Sequence, residues 1–284
     1  MDKKVVLVTG CSSGIGLELV KLFIKKGYIT YGVARREVNV INLNYIPCDV
    51  TDFEECKLVI EKIIEEQGKI DILINNAGMG ISGPIEYANR TEARKIFDVN
   101  FFGAWNMIRG ILPYMREKGK GNIVNVSSVA SFVDIPFQAF YSASKSALDS
   151  LSSSLRSEVK AFGINVVTVH PGDTKTGFTG AREKNELKDS DPYAQTCNSS
   201  IAQMEKDEQN GMESKDVAKV IFKTAIKDKP RLKTIVGFKY KVFSALLYLM
   251  PLRLREWAVR KMYFKDAKEA DVEIIEPDTN KGKE

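Results

Sequence analysis

Short runs of β-branched and aliphatic residues alternate along the chain with longer segments whose apolar residues recur at helical spacing. The short runs predict buried strands at 5–9, 29–34, 44–49, 70–76, 121–127, 164–169 and near 234–236. The amphipathic segments predict helices at 14–27, 52–67, 91–117, 141–162 and 214–227. Strands that alternate with helices favour an α/β fold, a doubly wound parallel sheet of about seven strands with helices on both faces.

Two regions depart from this alternation. The stretch 173–212 is rich in Lys, Asp, Glu and Ser, which indicates a substrate lid or insertion within a domain spanning 1–237. Residues 238–264 predict a C-terminal helical extension, with one helical segment on either side of Pro251. Its apolar, aromatic and basic residues suit a membrane-surface helix, a flap over a substrate pocket or a subunit contact. The last segment, 265–284, predicts a disordered tail.

Composition and charge narrow the function classes. Hydrophobic residues make up 44% and charged residues 28% of the chain, as in a soluble globular protein. The net charge of +5 forms no basic stripe with interleaved aromatics before the C-terminal region, which argues against a nucleic-acid partner. The first residues do not predict a signal peptide, and the longest apolar run, 242–252, is too short to span a bilayer.

Cysteine and histidine usage limits the chemistry further. The four cysteines show no C-x-x-C spacing and indicate reduced thiols in a cytoplasmic protein. His170 is the single histidine, which excludes histidine-rich zinc sites and argues against a Ser-His-Asp hydrolase. We therefore predict no metal site, and His170 itself is expected to be structural.

A glycine-rich turn, T-G-C-S-S-G-I-G at 9–16, joins the first strand to the first helix. Gly10, Gly14 and Gly16 allow a tight turn, a close approach of the backbone to a pyrophosphate, and close packing of helix on strand. The helix N-terminus would then present free N–H groups to the phosphates. The alternative is a glycine-rich turn with no ligand, but its place between a buried strand and a helix favours a dinucleotide site.

The stretch Y-S-A-S-K places Tyr141 four residues before Lys145. On a helix these side chains lie on the same face. An ammonium beside a phenol favours the phenolate, so the pair predicts a lowered tyrosine pKa and proton transfer near neutral pH. The alternative is an exposed tyrosine and lysine without a role.

Six motifs in register resemble the short-chain dehydrogenase/reductase family over about residues 5–237. They are the glycine turn, N-N-A-G at 75–78, Asn100, N-V-S-S at 125–128, Y-S-A-S-K, and P-G at 171–172. The resemblance implies a Rossmann-type fold and oxidoreductase activity. The stretch C-S-S-G-I-G-L at 11–17 also resembles the branch of this family that contains 17β-hydroxysteroid dehydrogenases, retinol dehydrogenases and acyl-dihydroxyacetone-phosphate reductases.

The resemblance implies roles for four catalytic residues. Tyr141 would be the general acid when a carbonyl is reduced and the base in the reverse direction. Lys145 would lower the tyrosine's pKa and hold the nicotinamide ribose. Ser128 would hydrogen-bond the substrate oxygen, and Asn100 would support a water relay to Lys145.

The same resemblance implies a cofactor site. Its expected residues are Gly10, Ser12, Ser13, Gly14, Ile15, Gly16, Arg35, Arg36, Asp49, Val50, Asn76, Ala77, Gly78, Tyr141, Lys145, Pro171, Gly172, Thr174 and Thr176. An NAD-dependent enzyme needs an acidic residue at the end of the second strand, where Ala34 is followed by Arg35 and Arg36. This indicates NADP(H) rather than NAD, unless the two arginines are only a solvated pair. The twelve residues between Arg36 and Asp49 also predict a truncated helix and a more open adenine pocket.

Aromatic residues near the catalytic segments suggest a lipophilic ketone or alcohol substrate, such as a steroid, retinoid or acyl compound. They are Phe132, Phe137, Phe140, Phe178 and Tyr193, and the alternative is that they only pack loops. The resemblance also implies a homodimer or homotetramer formed through helices 91–117 and 141–162. Two other functions stay open: a non-catalytic dinucleotide sensor, and a membrane-surface scaffold that uses residues 238–264 as a peripheral membrane contact.

Overall fold

The chain folds around one parallel sheet, which a computed structural model describes for residues 3–185 and 187–264. Its seven strands are β1 Val5–Thr9, β2 Ile29–Ala34, β3 Asn44–Pro47, β4 Ile72–Asn75, β5 Gly121–Val126, β6 Ile164–His170 and β7 Lys233–Ile235. They lie in the order β7-β6-β5-β4-β1-β2-β3. The predicted doubly wound α/β fold is confirmed. The order reverses between β1 and β4, the point at which open α/β sheets bind ligands.

Helices cover both faces of this sheet. The helices of the described residues, including those that lie away from the sheet, are α1 Gly14–Lys25, α2 Phe53–Gln67, α3 Arg90–Phe97, α4 Gly103–Lys118, α5 Ala139–Glu158, α6 Phe178–Ala181, α7 Ala194–Gln209, α8 Ser214–Ala225, α9 Phe238–Leu249 and α10 Leu252–Tyr263. Alternate residues of β1 face opposite layers, as the period of a strand requires. Val5 and Leu7 join a core with α2, α4 and α5, whereas Val6 and Val8 join a core with α1 and α8.

Three segments differ from the predicted elements or refine them. The helix predicted at 91–117 is divided, because a π-helical turn at Asp98–Phe102 separates α3 from α4. The polar stretch 173–212 contains α6 and α7, and α7 buries Cys197, Ile201 and Met204. Between β2 and β3 the chain forms a loop with no helix, which agrees with the truncation expected there.

Two short parallel ladders fasten the 173–212 segment, one to the loop after β4 and one between the two ends of the segment. One pairs Ile81–Ser82 with Glu183–Lys184, and the other pairs Thr174–Lys175 with Met212–Glu213. The segment is therefore fastened near both of its ends. Residues 265–284, for which a disordered tail was predicted, lie outside the described part of the chain.

Among the residues described, no helix combines the length and the apolar character needed to cross a bilayer. The C-terminal extension predicted at 238–264 is present as α9 and α10, with Pro251 between them.

Candidate active site

The glycine turn lies at the carboxyl end of β1, beside the end of β4. Gly10 has a φ of +65°, and a Cβ there would lie 2.7 Å from the Cα of Ala77. A Cβ at Gly16 would overlap the carbonyl oxygen of Gly10. The side-chain amide of Asn76 donates to the carbonyl oxygens of Thr9 and Gly10 at 3.1 and 3.2 Å. These contacts hold the turn flat against β4, so that a ligand can approach its backbone closely.

A cleft of about 720 Å³ runs from this turn across the carboxyl ends of the strands. It brings together nearly all the site residues expected from the sequence: Gly10, Ser12, Ser13, Gly14, Ile15, Arg35, Arg36, Asp49, Val50, Asn76, Ala77, Gly78, Ser128, Tyr141, Lys145, Pro171, Gly172, Thr174 and Thr176. Gly16 and Asn100 lie behind the cleft wall. Because parallel strands end at one edge, residues far apart in sequence meet there.

Tyr141 and Lys145 both belong to α5 and both line the cleft. The Lys145 Nζ lies 5.9 Å from the centroid of the Tyr141 ring. Ser128, which follows β5, also lines the cleft, and its hydroxyl acts on the Tyr141 phenol to lower the phenol's pKa. Ser128 Oγ also accepts a hydrogen bond from the backbone N–H of Ala130 at 3.1 Å. An acid, an ammonium and a hydroxyl therefore converge on one end of the cleft.

The pKa of Tyr141 differs from the sequence-based prediction. Burial raises this pKa above its ordinary value, and the hydrogen bond from Ser128 only partly opposes the effect. The predicted lowering by Lys145 is wrong, because burial of the phenol dominates and the Lys145 ammonium donates to the carbonyl of Val126 instead. Burial in turn lowers the pKa of Lys145 to about 8. Desolvation thus dominates over the attraction between the two groups.

Asn100 occupies the π-helical turn between α3 and α4 and is 1% exposed. Its Oδ1 accepts from the N–H of Met79 at 2.8 Å, while its Nδ2 donates to the carbonyl of Met79 and to Ser144 Oγ, both at 3.0 Å. A Cβ at Gly78 would lie 3.3 Å from that Oδ1 and 3.5 Å from the Lys145 Nζ. Asn100 therefore braces the loop after β4 directly behind the lysine. Single π turns are frequent at functional sites.

At the far end of the cleft, Arg35 and Arg36 are exposed at the end of β2. Arg36 approaches the hydroxyl of Ser12 at 3.5 Å. Arg35 lies 3.9 Å from the carboxylate of Asp49, whose other oxygen accepts from the N–H and the hydroxyl of Thr51. Both guanidinium groups are thus beside the cleft, and neither is buried in an internal ion pair.

His170 is fully buried at the end of β6. Its Nε2 lies 2.9 Å from the Thr168 hydroxyl and its Nδ1 lies 3.1 Å from the carbonyl oxygen of Ser128. Burial lowers its pKa, which favours the neutral ring. The residue therefore supports the Ser128 loop from behind, as a structural histidine would.

At the other end of the cleft several lining residues lie in the predicted lid 173–212, but the individual side chains there were mostly not predicted. Of the five aromatics proposed for an apolar pocket, only Phe178 lines the described cleft, with its ring 5.7 Å from that of Tyr141. The remaining lining there includes Met79, Ile135, Ala181, Met204, Glu208 and Tyr263. Glu208 also pairs with the buried Arg182. Met204 and Glu208 come from α7 and Tyr263 from the end of α10, so no local motif marks them.

The C-terminal helices are tied directly to the cleft. The hydroxyl of Tyr240 on α9 donates to the carboxylate of Asp173 and accepts from the N–H of Asp173 at 3.0 Å. A Cβ at Gly172 would collide with the Tyr240 ring. Tyr263 at the end of α10 lines the cleft itself, and burial raises its pKa. The extension thus contributes a wall to the site.

This arrangement defines a dinucleotide-binding oxidoreductase of the α/β class. A family model described as short chain dehydrogenase matches residues 4–187. The chain belongs to the short-chain dehydrogenase family, as the resemblance of its motifs predicted.

Three relatives are similar over most of their length. The 3-ketodihydrosphingosine reductase of Bacteroides thetaiotaomicron is 38% identical over 266 residues, covering 93% of this chain and 99% of the relative. Retinol dehydrogenase 8 of Bos taurus is 32% identical, covering 87% and 86%. The NADPH-dependent 3-dehydrocapnine reductase of Ornithobacterium rhinotracheale is 28% identical, covering 92% and 96%.

Among solved structures, a short-chain dehydrogenase from Streptomyces avermitilis superimposes with a TM-score of 0.79 at 31% identity. The match covers 90% of this chain and 96% of the other.

Proposed function

We propose that this protein uses NADP(H) to interconvert a lipophilic ketone and its alcohol, with Tyr141 as the general acid or base. The observation that carries the proposal is the convergence of Tyr141, Ser128 and Lys145 in the cleft that begins at the glycine turn. Oxidoreductase activity is the family's chemistry. The cofactor, the residue roles and the substrate are our proposals.

The residues of the cleft fit a nicotinamide dinucleotide. A Cβ at Gly10, Gly14 or Gly16 would meet neighbouring protein atoms, so only glycine allows this compact turn. A compact turn with a free backbone suits a pyrophosphate bound at the start of α1. Pro171, Gly172, Thr174 and Thr176 would hold the nicotinamide end. When bound, the cofactor supplies the hydride and the protein supplies orientation and proton transfer.

The choice of NADP(H) rests on the end of β2. Ala34 occupies the position at which a carboxylate would bind the 2′-hydroxyl of NAD, and it is 8% exposed. Arg35 and Arg36 follow at the rim of the cleft, where guanidinium groups can pair with a 2′-phosphate. The 3-dehydrocapnine reductase named above is NADPH-dependent, which supports the same choice.

Proton transfer would begin at Tyr141. Because burial raises its pKa, the phenol keeps its proton at neutral pH and can donate it to a substrate oxygen during ketone reduction. Ser128 would donate a hydrogen bond to the same oxygen as negative charge develops there. Lys145 would hold the nicotinamide ribose and assist reprotonation, with Asn100 supporting a water that joins the lysine to solvent.

We propose a long-chain ketone as the substrate. Apolar side chains line the end of the cleft beyond Tyr141, among them Met79, Ile135, Phe178 and Met204. Two of the relatives are named for reducing 3-ketodihydrosphingosine and 3-dehydrocapnine, and a third for acting on retinol. A 3-ketodihydrosphingosine-type long-chain base is therefore our first candidate, ahead of retinoids and steroids.

The test is NADPH oxidation by the purified protein with 3-ketodihydrosphingosine, a retinaldehyde and a 17-ketosteroid, each repeated with NADH. We expect turnover with the long-chain ketone and a preference for NADPH. Tight NADPH binding without turnover of any carbonyl compound would instead support a dinucleotide sensor. Turnover restricted to the steroid or the retinaldehyde would contradict the proposed substrate but not the reaction.

A homodimer or homotetramer formed through the helices predicted at 91–117 and 141–162, which correspond to α3, α4 and α5, remains our expectation for assembly. Phe102 and Trp105 are partly exposed beside this face, at 44% and 38%. Light scattering of the full chain measures the assembly directly.

A further inference from the structure

The α9–α10 hairpin exposes an unusual concentration of large apolar side chains. Of the fifteen such side chains exposed in the described part of the chain, eight lie between Phe238 and Trp257: Phe238, Val242, Leu246, Tyr248, Leu249, Leu252, Leu254 and Trp257. In α9, the residues Phe238, Val242, Leu246 and Leu249 are spaced by three or four positions and form one stripe. Contiguous exposed apolar surface of this kind marks an interaction site.

The same segment is strongly basic. Residues 238–264 contain six Lys and Arg residues against the single acidic residue Glu256, a net +5, which equals the net charge of the whole chain. The remainder of the protein is thus neutral overall, and the excess positive charge lies in the hairpin. The Lys261 Nζ stands 5.2 Å from the centroid of the Trp257 ring. Tryptophan beside basic residues is typical of membrane–water interfaces.

The opposite side of the hairpin is anchored to the protein. Leu247 and Val259 are buried against Val133, and Arg255 donates to the carbonyl of Phe132. Tyr240 binds Asp173, and Tyr263 lines the cleft. The outer face is therefore held against the rest of the protein, and Tyr263 at the end of α10 also forms part of the wall of the substrate cleft.

We propose that this hairpin docks the protein on an anionic membrane surface. The apolar stripe enters the headgroup boundary while the Lys and Arg residues contact anionic lipids. A second copy of the chain is the weaker candidate, since a two-fold contact through this face would bring two +5 segments together. A lipophilic substrate would then reach the cleft from the bilayer. Membrane binding does not depend on the proposed reaction.

The first test is co-sedimentation of the full chain with vesicles of phosphatidylcholine alone or mixed with phosphatidylglycerol. We expect binding to the mixed vesicles that weakens at high salt, and an about tenfold or larger loss in the double variant Leu249→Glu/Leu252→Glu. The matched control is Ile41→Glu/Leu58→Glu, which adds the same charge at two exposed apolar positions outside the hairpin. Equal binding of the two variants, or no binding of the parent, would overturn the proposal.

A second test avoids any change to the hairpin. The chain has two tryptophans, so Trp105→Phe leaves Trp257 as the sole tryptophan reporter. On addition of anionic vesicles we expect a blue shift of its emission and quenching by brominated acyl chains. Emission that does not change would contradict docking through this face. Light scattering would show the alternative, a dimer that Leu249→Glu/Leu252→Glu dissociates, and that result would overturn the membrane assignment.

Discussion

The Nζ of Lys145 donates a hydrogen bond to the carbonyl oxygen of Val126 at 3.0 Å, which joins α5 to the end of β5. The lysine is 4% exposed, and burial lowers its pKa to about 8. In the protein without ligand, the ammonium is therefore held in a position that disfavours its charge. The unfavourable burial of this charge should therefore lower the free energy of unfolding by a measurable amount.

We predict that Lys145→Met stabilises the free protein at pH 7, by up to about 3 kcal/mol in the free energy of unfolding. The pKa of Lys145 falls from 10.5 to about 8 on folding. Between these values the unfolded chain binds the proton that the folded chain has released, so the parent gains stability as the pH rises. The difference between parent and variant should thus be largest below pH 8 and should close toward pH 10.5.

Urea unfolding across pH 7 to 10.5 measures this difference. Lys57→Met, at an exposed position of α2, is the control and should not be more stable than the parent. A gap between the Lys145 variant and the parent that does not change with pH would contradict the buried-charge account.

The second prediction concerns the 2′-phosphate. The double variant Arg35→Ala/Arg36→Ala should bind NADPH about 10- to 100-fold more weakly, because two charge-assisted contacts are removed. Its affinity for NADH should change less than about threefold, because NADH carries no phosphate there. Fluorescence titration with both cofactors provides the measurement, and Lys57→Ala, which removes one positive charge outside the cleft, is the control. An equal loss of affinity for NADPH and NADH would show that the two arginines only support the loop after β2.

The third prediction concerns the glycine turn. Gly16→Ala should destabilise the protein by about 1–3 kcal/mol or more, since its Cβ would overlap the Gly10 carbonyl. Gly180→Ala is the control, because a Cβ there meets nothing within 4 Å. Thermal unfolding and NADPH titration should separate the two variants. Normal stability and normal binding in Gly16→Ala would mean that the close packing of α1 on the turn is not required.

The positions of Tyr141, Lys145 and Ser128 could be predicted because their determinants are local. A helical spacing of four places the tyrosine and lysine on one face, and the serine follows a buried strand whose end must lie at the ligand edge of the sheet. The raised pKa of Tyr141 could not be predicted in this way. It depends on how many protein atoms surround the phenol, and spacing carries no information about that.

The wall of the substrate cleft was equally inaccessible to sequence reasoning. Tyr240 reaches Asp173 across 67 positions of sequence. Glu208 and Tyr263 also enter the site through tertiary packing of α7 and α10. The π-helical turn at Asn100 could not be predicted from the sequence either, because a regular helix and a helix with one π turn share nearly the same apolar pattern.

The most direct test of the reaction is the kcat/KM for NADPH-dependent reduction of 3-ketodihydrosphingosine by Tyr141→Phe. Tyr193→Phe is the matched control, since this tyrosine donates to Glu86 outside the cleft. We expect Tyr141→Phe to lose about 10²- to 10⁴-fold while it still binds NADPH, and the control to match the parent. Undiminished reduction by Tyr141→Phe would contradict the assignment of this phenol as the proton donor.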